Sequence, residues 1–302
     1  MQFVKASVSL IPQPADFEGM KKHIELCGRV SYKSEDRITD ESCDKFIQML
    51  VDKGHTSACE HGTIYLTIPN TDEFKQEIDS MLKLRYTDVV TDEDNVYVTT
   101  NYRVIINNHI PMKFVENFWS EPTKHIKRVS FRVVCSRGIG YELVRHRVMS
   151  FTQESTRYCN YSKDKHGGCL KFIIPTWLDD IKEDETFSVE DVEPEALVKT
   201  ILSGEHTSKT MILASVNVCI EKAYMELLSQ GCTPQQARDI LPNGLKTELI
   251  ITGTVPQWEH LLSLRSPAFG AKGMHPDIAV IGDDIYYALV SGGYLKEVKK
   301  DD

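Results

Sequence analysis

The sequence predicts a helix-rich α+β chain organised as one domain with peripheral excursions. Three observations carry that expectation. Several segments place apolar residues at helical spacing, a few place them at period two, and neither an internal repeat nor an obvious linker divides the chain. With 302 residues, 41% hydrophobic and 26% charged, the chain can bury a sizeable core without cross-links.

Asp16 is placed to cap a first helix with Phe17, Met20, Ile24 and Cys27 on one face. Thr39 is read as the cap of a second, with Asp40 and Glu41 in its first turn, where the helix dipole favours negative charge. Cys43, Phe46, Ile47, Leu50 and Val51 keep its period, and Gly54 stops it. A polar loop from His55 to His61 leads into a strand, Thr63 to Pro69. A charged helical stretch near 73–85, an acidic turn at Thr91–Asp94 and a β-rich run from Val96 to Ile106 follow. Val129, Phe131, Val133 and Cys135 alternate cleanly, so Arg128–Cys135 is a strand, and Ser136–Gly140 turns it into a helical segment ending at Arg145–Arg147. Residues 160–208 are loop-rich, with acidic runs between Asp179 and Glu193. A long helix is expected over Lys209–Gln230, with Ile212, Val216, Ile220, Ala223 and Leu227 facing inward and Gly231 ending it. Pro234 opens a short helix; Thr247–Thr254 is ambiguous between helix and strand. Pro256 starts a helix that carries His260 and Arg265, and a last one lies near 277–290.

Several function classes fall away. Seventeen glycines and twelve prolines are ordinary counts, which excludes collagen-like and low-complexity chains. No apolar run reaches the roughly eighteen residues of a membrane span, and the N-terminus lacks the basic and long apolar regions of a secretory signal. A net charge of −9 argues against a general nucleic-acid coat but permits a local basic pocket. None of the eight cysteines (Cys27, Cys43, Cys59, Cys135, Cys159, Cys169, Cys219, Cys232) forms a C-x-x-C pair, and several sit on apolar faces. Reduced, mostly buried thiols, no metal centre and a cytoplasmic location are the expectation.

The chain contains no P-loop, no G-x-G-x-x-G opening a helix, no H-E-x-x-H and no G-x-S-x-G. Its densest polar stretch is Arg145–Tyr158, with three arginines in an acidic protein. Guanidinium forks suit phosphate and carboxylate, and the interleaved Ser150, Gln153, Ser155 and Tyr158 could read the edge of a base. A surface strip of arginines paired to Glu142, Glu154 and Asp164 is the competing view. The loop holding His55, Ser57, Glu60 and His61 could line a cofactor pocket, supply part of a zinc site, or simply be a hydrogen-bonded turn. Arg238 and Arg265, taken singly, read as helix-end salt-bridge partners.

Together these blocks resemble the flavin-dependent thymidylate synthases. Arg145, His146, Arg147, Ser150, Ser155, Arg157 and Tyr158 match R-H-R-x-x-S-x-N-E-x-S-x-R-Y. His55-x-Ser57-x-x-Glu60-His61 resembles the family's H-x-[ST]-x-x-E-H. Ala237-Arg238-x-x-Leu241-Pro242 resembles A-R-x-x-L-P, and Leu264-Arg265 the Leu-Arg that follows. The resemblance implies a single helix-rich domain with a central antiparallel sheet. It implies reductive methylation of dUMP to dTMP, with methylene-tetrahydrofolate as carbon donor and NADPH-reduced FAD as hydride source. It also implies a homotetramer with sites at subunit interfaces and no nucleic-acid polymer or membrane as partner.

By the same resemblance, Arg265 is the catalytic group, stabilising negative charge on the uracil ring. His55, Ser57, Glu60, Arg145, His146, Arg147, Thr254 and His260 would meet the cofactor. Glu142, Arg145, Gln153, Glu154, Ser155, Arg157, Arg238 and Arg265 would meet the nucleotide. The sequence departs from the pattern at Thr152-Gln153, where the family has Asn-Glu, at Glu142, where Gln is frequent, and at Thr254-Val255-Pro256, where it often has Asn-x-Arg. The separation of His61 from Arg145 exceeds the family's compact form, which places an insertion near 70–127 beside the one near 160–208. A related enzyme that hydroxymethylates dUMP and a nucleotide- or RNA-binding module are the alternatives.

Overall fold

The computed structural model describes residues 1–163, 167–192, 202–203 and 208–298. Residues 164–166, 193–201 and 204–207 of the excursion expected at 160–208, including Asp164 and the end of its acidic run at Glu193, lie outside the described residues.

Nine strands are described: β1 (Gln2–Val4), β2 (Ser7–Ile11), β3 (Thr63–Pro69), β4 (Asp88–Thr91), β5 (Asn95–Asn101), β6 (Arg128–Ser136), β7 (Ser150–Gln153), β8 (Lys171–Ile173) and β9 (Lys246–Thr254). A four-stranded antiparallel sheet in the order β2-β6-β9-β7 forms the centre, as the resemblance implied. The ambiguous run Thr247–Thr254 is thus a strand, paired on both sides and buried along nearly its whole length.

The helices are α1 (Phe17–Val30), α2 (Cys43–Asp52), α3 (Lys75–Leu82), α4 (Tyr102–Asn107), α5 (Met112–Phe118), α6 (Arg137–Leu143), α7 (Val189–Val192), α8 (Lys209–Ser229), α9 (Pro234–Ala237), α10 (Val255–Arg265) and α11 (Pro276–Ser291). Asp16 caps α1 by accepting from the Gly19 amide at 2.6 Å. The second helix starts three residues later than expected, at Cys43. Thr39 is not its cap, because the Thr39 amide donates to Ser42 Oγ and the chain turns between them. The β-rich run from Val96 stops at Asn101, whose side chain caps α4. Val104 and Ile105 are therefore helical, with the Asn101 side chain accepting from the Val104 amide at 3.2 Å.

The central sheet has two chemically different faces. Val129, Phe131, Val133 and Cys135 of β6, with Leu249 and Ile251 of β9, pack under Trp258, Leu261 and Leu262 of α10 and Ile278, Ile281, Ile285 and Leu289 of α11. Trp258 Nε1 satisfies itself on the Val129 carbonyl at 3.1 Å. On the opposite face lie Ser130, Thr252 and Thr152, covered by α1 and the 3-10 turn Thr56–His61. The excursion between the histidine loop and β6 folds as a sheet of order β3-β5-β4 with its own apolar cluster, including Ile64, Leu66, Val98, Ile78 and Val115.

The inward face of α8 differs from the expected one. Ala214, Asn217, Val218 and Tyr224 are buried, whereas Ile212 and Val216 are 40% and 41% exposed. This helix carries two apolar stripes, and sequence spacing alone cannot say which one the chain's own core takes. No disulfide joins any of the eight cysteines, all of which are described, and five of them are buried.

Candidate active site

The polar face of the central sheet organises the histidine loop. His61, fully buried, bridges Thr252 Oγ1 at 2.7 Å through Nδ1 and Thr152 Oγ1 at 2.9 Å through Nε2. Thr252 Oγ1 lies 2.6 Å from Ser130 Oγ, which in turn lies 3.0 Å from His23 Nε2 of α1. Burial holds both imidazoles neutral: His23 is brought down to about 4, and His61 falls well below the ordinary 6.5. The last histidine of the loop therefore pins the loop to β7 and β9. His55 and Ser57 at its other end are exposed, and Tyr32 Oη sits 3.4 Å from His55 Nδ1.

Pinning the loop brings Glu60 to the wall of a cleft of about 760 Å³. Arg147 and Thr254, both expected to meet the cofactor, line the same cleft. The Thr254 side chain is engaged in a capping box with Gln257 at the start of α10, so its hydroxyl is committed to the helix. Glu60 pairs with Arg103 of α4. Arg128 reaches in from the first residue of β6, donating to the Glu60 carbonyl at 2.9 Å and to Ser150 Oγ and Thr63 Oγ1, both at 3.3 Å. Neither Arg103 nor Arg128 carried a sequence signal. One lies inside a run that reads as strand, and the other opens an alternating strand like any solvated edge residue.

A second group forms at the end of α10. Arg265 donates through Nη1 to Glu142 Oε2 at 2.7 Å and through Nε to His146 Nε2 at 3.3 Å. Because Nε2 accepts, a neutral His146 carries its proton on Nδ1. Burial, with Arg265 and His260 nearby, brings its pKa down to about 4. The His260 ring, expected to meet the cofactor, stands 6.4 Å from the His146 ring. On the other side of Arg265 the backbone is fixed by α11: a Cβ at Gly282 would lie 2.3 Å from the Arg265 carbonyl oxygen. Only glycine permits that approach.

A third group gathers the nucleotide candidates. Arg157 is exposed, lies over the Tyr158 ring at 5.3 Å and donates through Nε to Gln235 Oε1 at 3.1 Å, three residues before Arg238. Tyr158 packs on Tyr32 at 5.1 Å, which links this group to His55. Ser155 Oγ accepts from the Arg157 amide at 3.3 Å. Gln153 donates to Thr247 Oγ1 at 3.1 Å. Glu154 is buried: its amide donates to the Glu248 carbonyl, and its carboxylate accepts from Tyr161 Oη at 2.9 Å and Lys246 Nζ at 3.0 Å. That places Glu154 in an interior ion network. In it Glu248 is raised by burial but drawn down to about 2 by the stronger pull of Lys246 and Lys33. Arg145 is exposed and makes no ion pair among the described residues. No hydrogen bond or ion pair among the described residues joins the Arg157 group to the Arg265 group.

Comparison with known proteins bears on these groups. The family model described as "Thymidylate synthase complementing protein" matches residues 80–285, which include the Arg145–Tyr158 block, Arg238 and Arg265. A flavin-dependent thymidylate synthase of Mycobacterium avium (strain 104) is 27% identical over 139 residues, 46% of this chain and 49% of that protein. Another, of Pyrococcus furiosus, is 31% identical over 131 residues, 43% of each. The chain thus spans less than half the length of these curated relatives. A crystal structure of a UMP/dUMP methylase, PolB of Streptomyces cacaoi, bound with 5-Br dUMP, overlaps 96% of this chain and 93% of that one at 18% identity and a TM-score of 0.40. Since the family model runs through well over half of the sequence, the chain belongs to the thymidylate synthase complementing protein family.

Proposed function

We propose that the protein is a flavin-dependent thymidylate synthase, converting dUMP to dTMP with methylene-tetrahydrofolate as carbon donor and NADPH as the source of reducing equivalents. The observation that carries this is an oriented, partly buried Arg265 held by Glu142 and His146, the chain neighbour of Arg147, which lines a cleft together with Glu60. Curated relatives that bear the name flavin-dependent thymidylate synthase support it.

The cleft fits FAD in size and charge. Its volume of about 760 Å³ suits a dinucleotide, and the cationic side chains on its walls outnumber the carboxylates. Arg147 and the Glu60–Arg103 pair would hold the cofactor, with His55 and Ser57 at the loop's exposed end. When bound, the flavin supplies hydride-transfer chemistry that no side chain can provide. The protein's own part is electrostatic and positional. Uracil is a poor carbon nucleophile until negative charge can develop on its ring, and a guanidinium held against the N3–O4 edge stabilises that charge. Glu142 and neutral His146 fix Arg265 in one orientation, so no reorganisation is needed as the charge appears. Arg157, Arg238 and Ser155 would hold the nucleotide phosphate, with Tyr158 beside them.

A homotetramer with shared sites is part of this proposal. The exposed Ile212 and Val216 on α8 support it. The test is the product formed from dUMP, methylene-tetrahydrofolate, NADPH and FAD, read by mass spectrometry. A product with the mass of dTMP is expected. A hydroxymethylated nucleotide would replace the reaction while keeping the substrate, and a colourless protein that binds RNA and takes up no flavin would reject the enzyme altogether.

A further inference from the structure

Four side-chain contacts cross the polar face of the central sheet in series. His23 Nε2 meets Ser130 Oγ at 3.0 Å, Ser130 Oγ meets Thr252 Oγ1 at 2.6 Å, Thr252 Oγ1 meets His61 Nδ1 at 2.7 Å, and His61 Nε2 meets Thr152 Oγ1 at 2.9 Å. All five side chains are buried. They come from α1, β6, β9, the histidine loop and β7, so the series cross-links elements that lie far apart in the chain. Helix α1 lies directly on the end of the loop: a Cβ at Gly62 would stand 2.5 Å from Ile24 Cδ1.

Proton counting gives the series a direction. Burial and nearby Arg128 keep both rings neutral. Two neutral imidazoles and three hydroxyls carry one proton each, which leaves one proton more than the four contacts use. His23 Nδ1 has no hydrogen-bond partner among the described residues. An orphaned buried N–H is rarer than an orphaned acceptor, so Nδ1 is the bare nitrogen and His23 donates from Nε2. Ser130 and Thr252 each stand between two partners, so each accepts on one side and donates on the other. His61 Nδ1 is then an acceptor, and His61 donates its own proton from Nε2 to Thr152. The surplus proton falls on the Thr152 hydroxyl, which can rotate, on the edge strand of the sheet. In the reverse direction it would fall on His23 Nδ1, where nothing receives it.

We propose that His23, which does not line the cleft, is a positioning residue for Glu60. By donating from Nε2 it sets the direction of the series and fixes the His61 ring, and with it the loop that presents Glu60 to the cleft. The consequence for flavin rests on the flavoenzyme reading; the direction of the series does not.

Nitrogen NMR of the full-length protein, labelled at histidine, reads the protonated ring nitrogens with or without flavin. His23 and His61 are both expected as Nε2–H tautomers in the unsubstituted chain, and a His61 protonated on Nδ1 overturns the proposal. His23→Gln retains a donor where Nε2 stood, so it keeps the His61 tautomer and a flavin affinity within about twofold of the original. His23→Leu removes the donor: His61 then populates both tautomers and flavin binds about fivefold more weakly. Ser130→Ala deletes one oxygen atom from the series and has the same effects. It decides the matter if circular dichroism and thermal melting show that His23→Leu does not fold. Equal flavin affinities in His23→Gln and His23→Leu would mean that the ring merely fills space, and that result overturns the proposal. So does a His61 tautomer indifferent to Ser130→Ala.

Amide hydrogen exchange over residues 58–62 needs no flavin. It quickens in His23→Leu and Ser130→Ala and stays slow in His23→Gln. Tautomers and exchange that respond in this way in a protein that takes up no flavin leave the role of His23 standing while the flavoenzyme reading fails. Flavin uptake and dTMP formation, with tautomer and exchange indifferent to every variant, remove the role of His23 alone.

Discussion

Arg265 owes its direction to two neighbours of opposite kind, a carboxylate and a neutral imidazole. Replacing it with alanine should leave flavin content unchanged while turnover of dUMP falls by roughly a hundredfold or more, the usual loss when a preorganised charge-stabilising donor is removed. Near-normal turnover would reject its role in ring activation. The buried imidazoles give a second expectation. His23 and His146 both stand near 4 in the folded chain against an ordinary 6.5. The unfolded chain takes up these protons first as pH falls. Stability should therefore decline from about pH 6.5 toward pH 4, and His23→Gln should make the decline shallower. Calorimetric melting temperatures across that interval would show it; a flat profile would mean the imidazoles are solvated. At this scale the sequence was informative about residue type and misleading about job. His61 matched the same motif as His55 and Glu60, but its two ring nitrogens are spent on threonine hydroxyls of the sheet. No spacing rule separates a buried anchor from a ligand-facing residue within one short loop.

Among the elements, strands were legible where one face is apolar. Arg128–Cys135 alternates because Phe131 and Val133 must lie under Trp258. β9 was ambiguous because both of its faces are buried, which erases alternation. β7 went unread because its four residues sit inside the arginine block and pair only with β9. Helix α8 is the instructive failure. Apolar spacing selected Ile212 and Val216, whereas the chain buries Ala214, Val218 and Tyr224. Ile212 and Val216 lie one turn apart on the exposed side of this 21-residue helix, where a second chain could cover them. Ile212→Glu with Val216→Glu should lower the sedimenting mass of the protein at micromolar concentration without altering its far-ultraviolet dichroism. An unchanged mass would show that α8 plays no part in assembly.

Across the whole molecule, the acidic balance and the anion-binding reading are reconciled by position. Cations collect on the cleft walls, while carboxylates such as Glu142, Glu154 and Glu248 are each engaged by a cation. The antiparallel centre and the four motif blocks could be anticipated from sequence. The polar face of the sheet could not, because Ser130, Thr152 and Thr252 lie far apart in the chain and are ordinary strand residues one at a time. Nor could the excursion's share in the cleft, since its cations lie within an unremarkable charged stretch.

Among the described residues, no hydrogen bond or ion pair joins the Arg157 and Arg265 groups of one chain. If a working site draws one group from each of two chains, defects can be traded between molecules. Arg157→Ala and Arg265→Ala proteins, each inactive alone, should regain activity when unfolded and refolded together, because some pairings reunite two intact halves. Random mixing of equal amounts should restore about a quarter of the sites. Such complementation is a genetic signature as much as a biochemical one: two disabled copies expressed in one cell would together sustain what neither sustains alone.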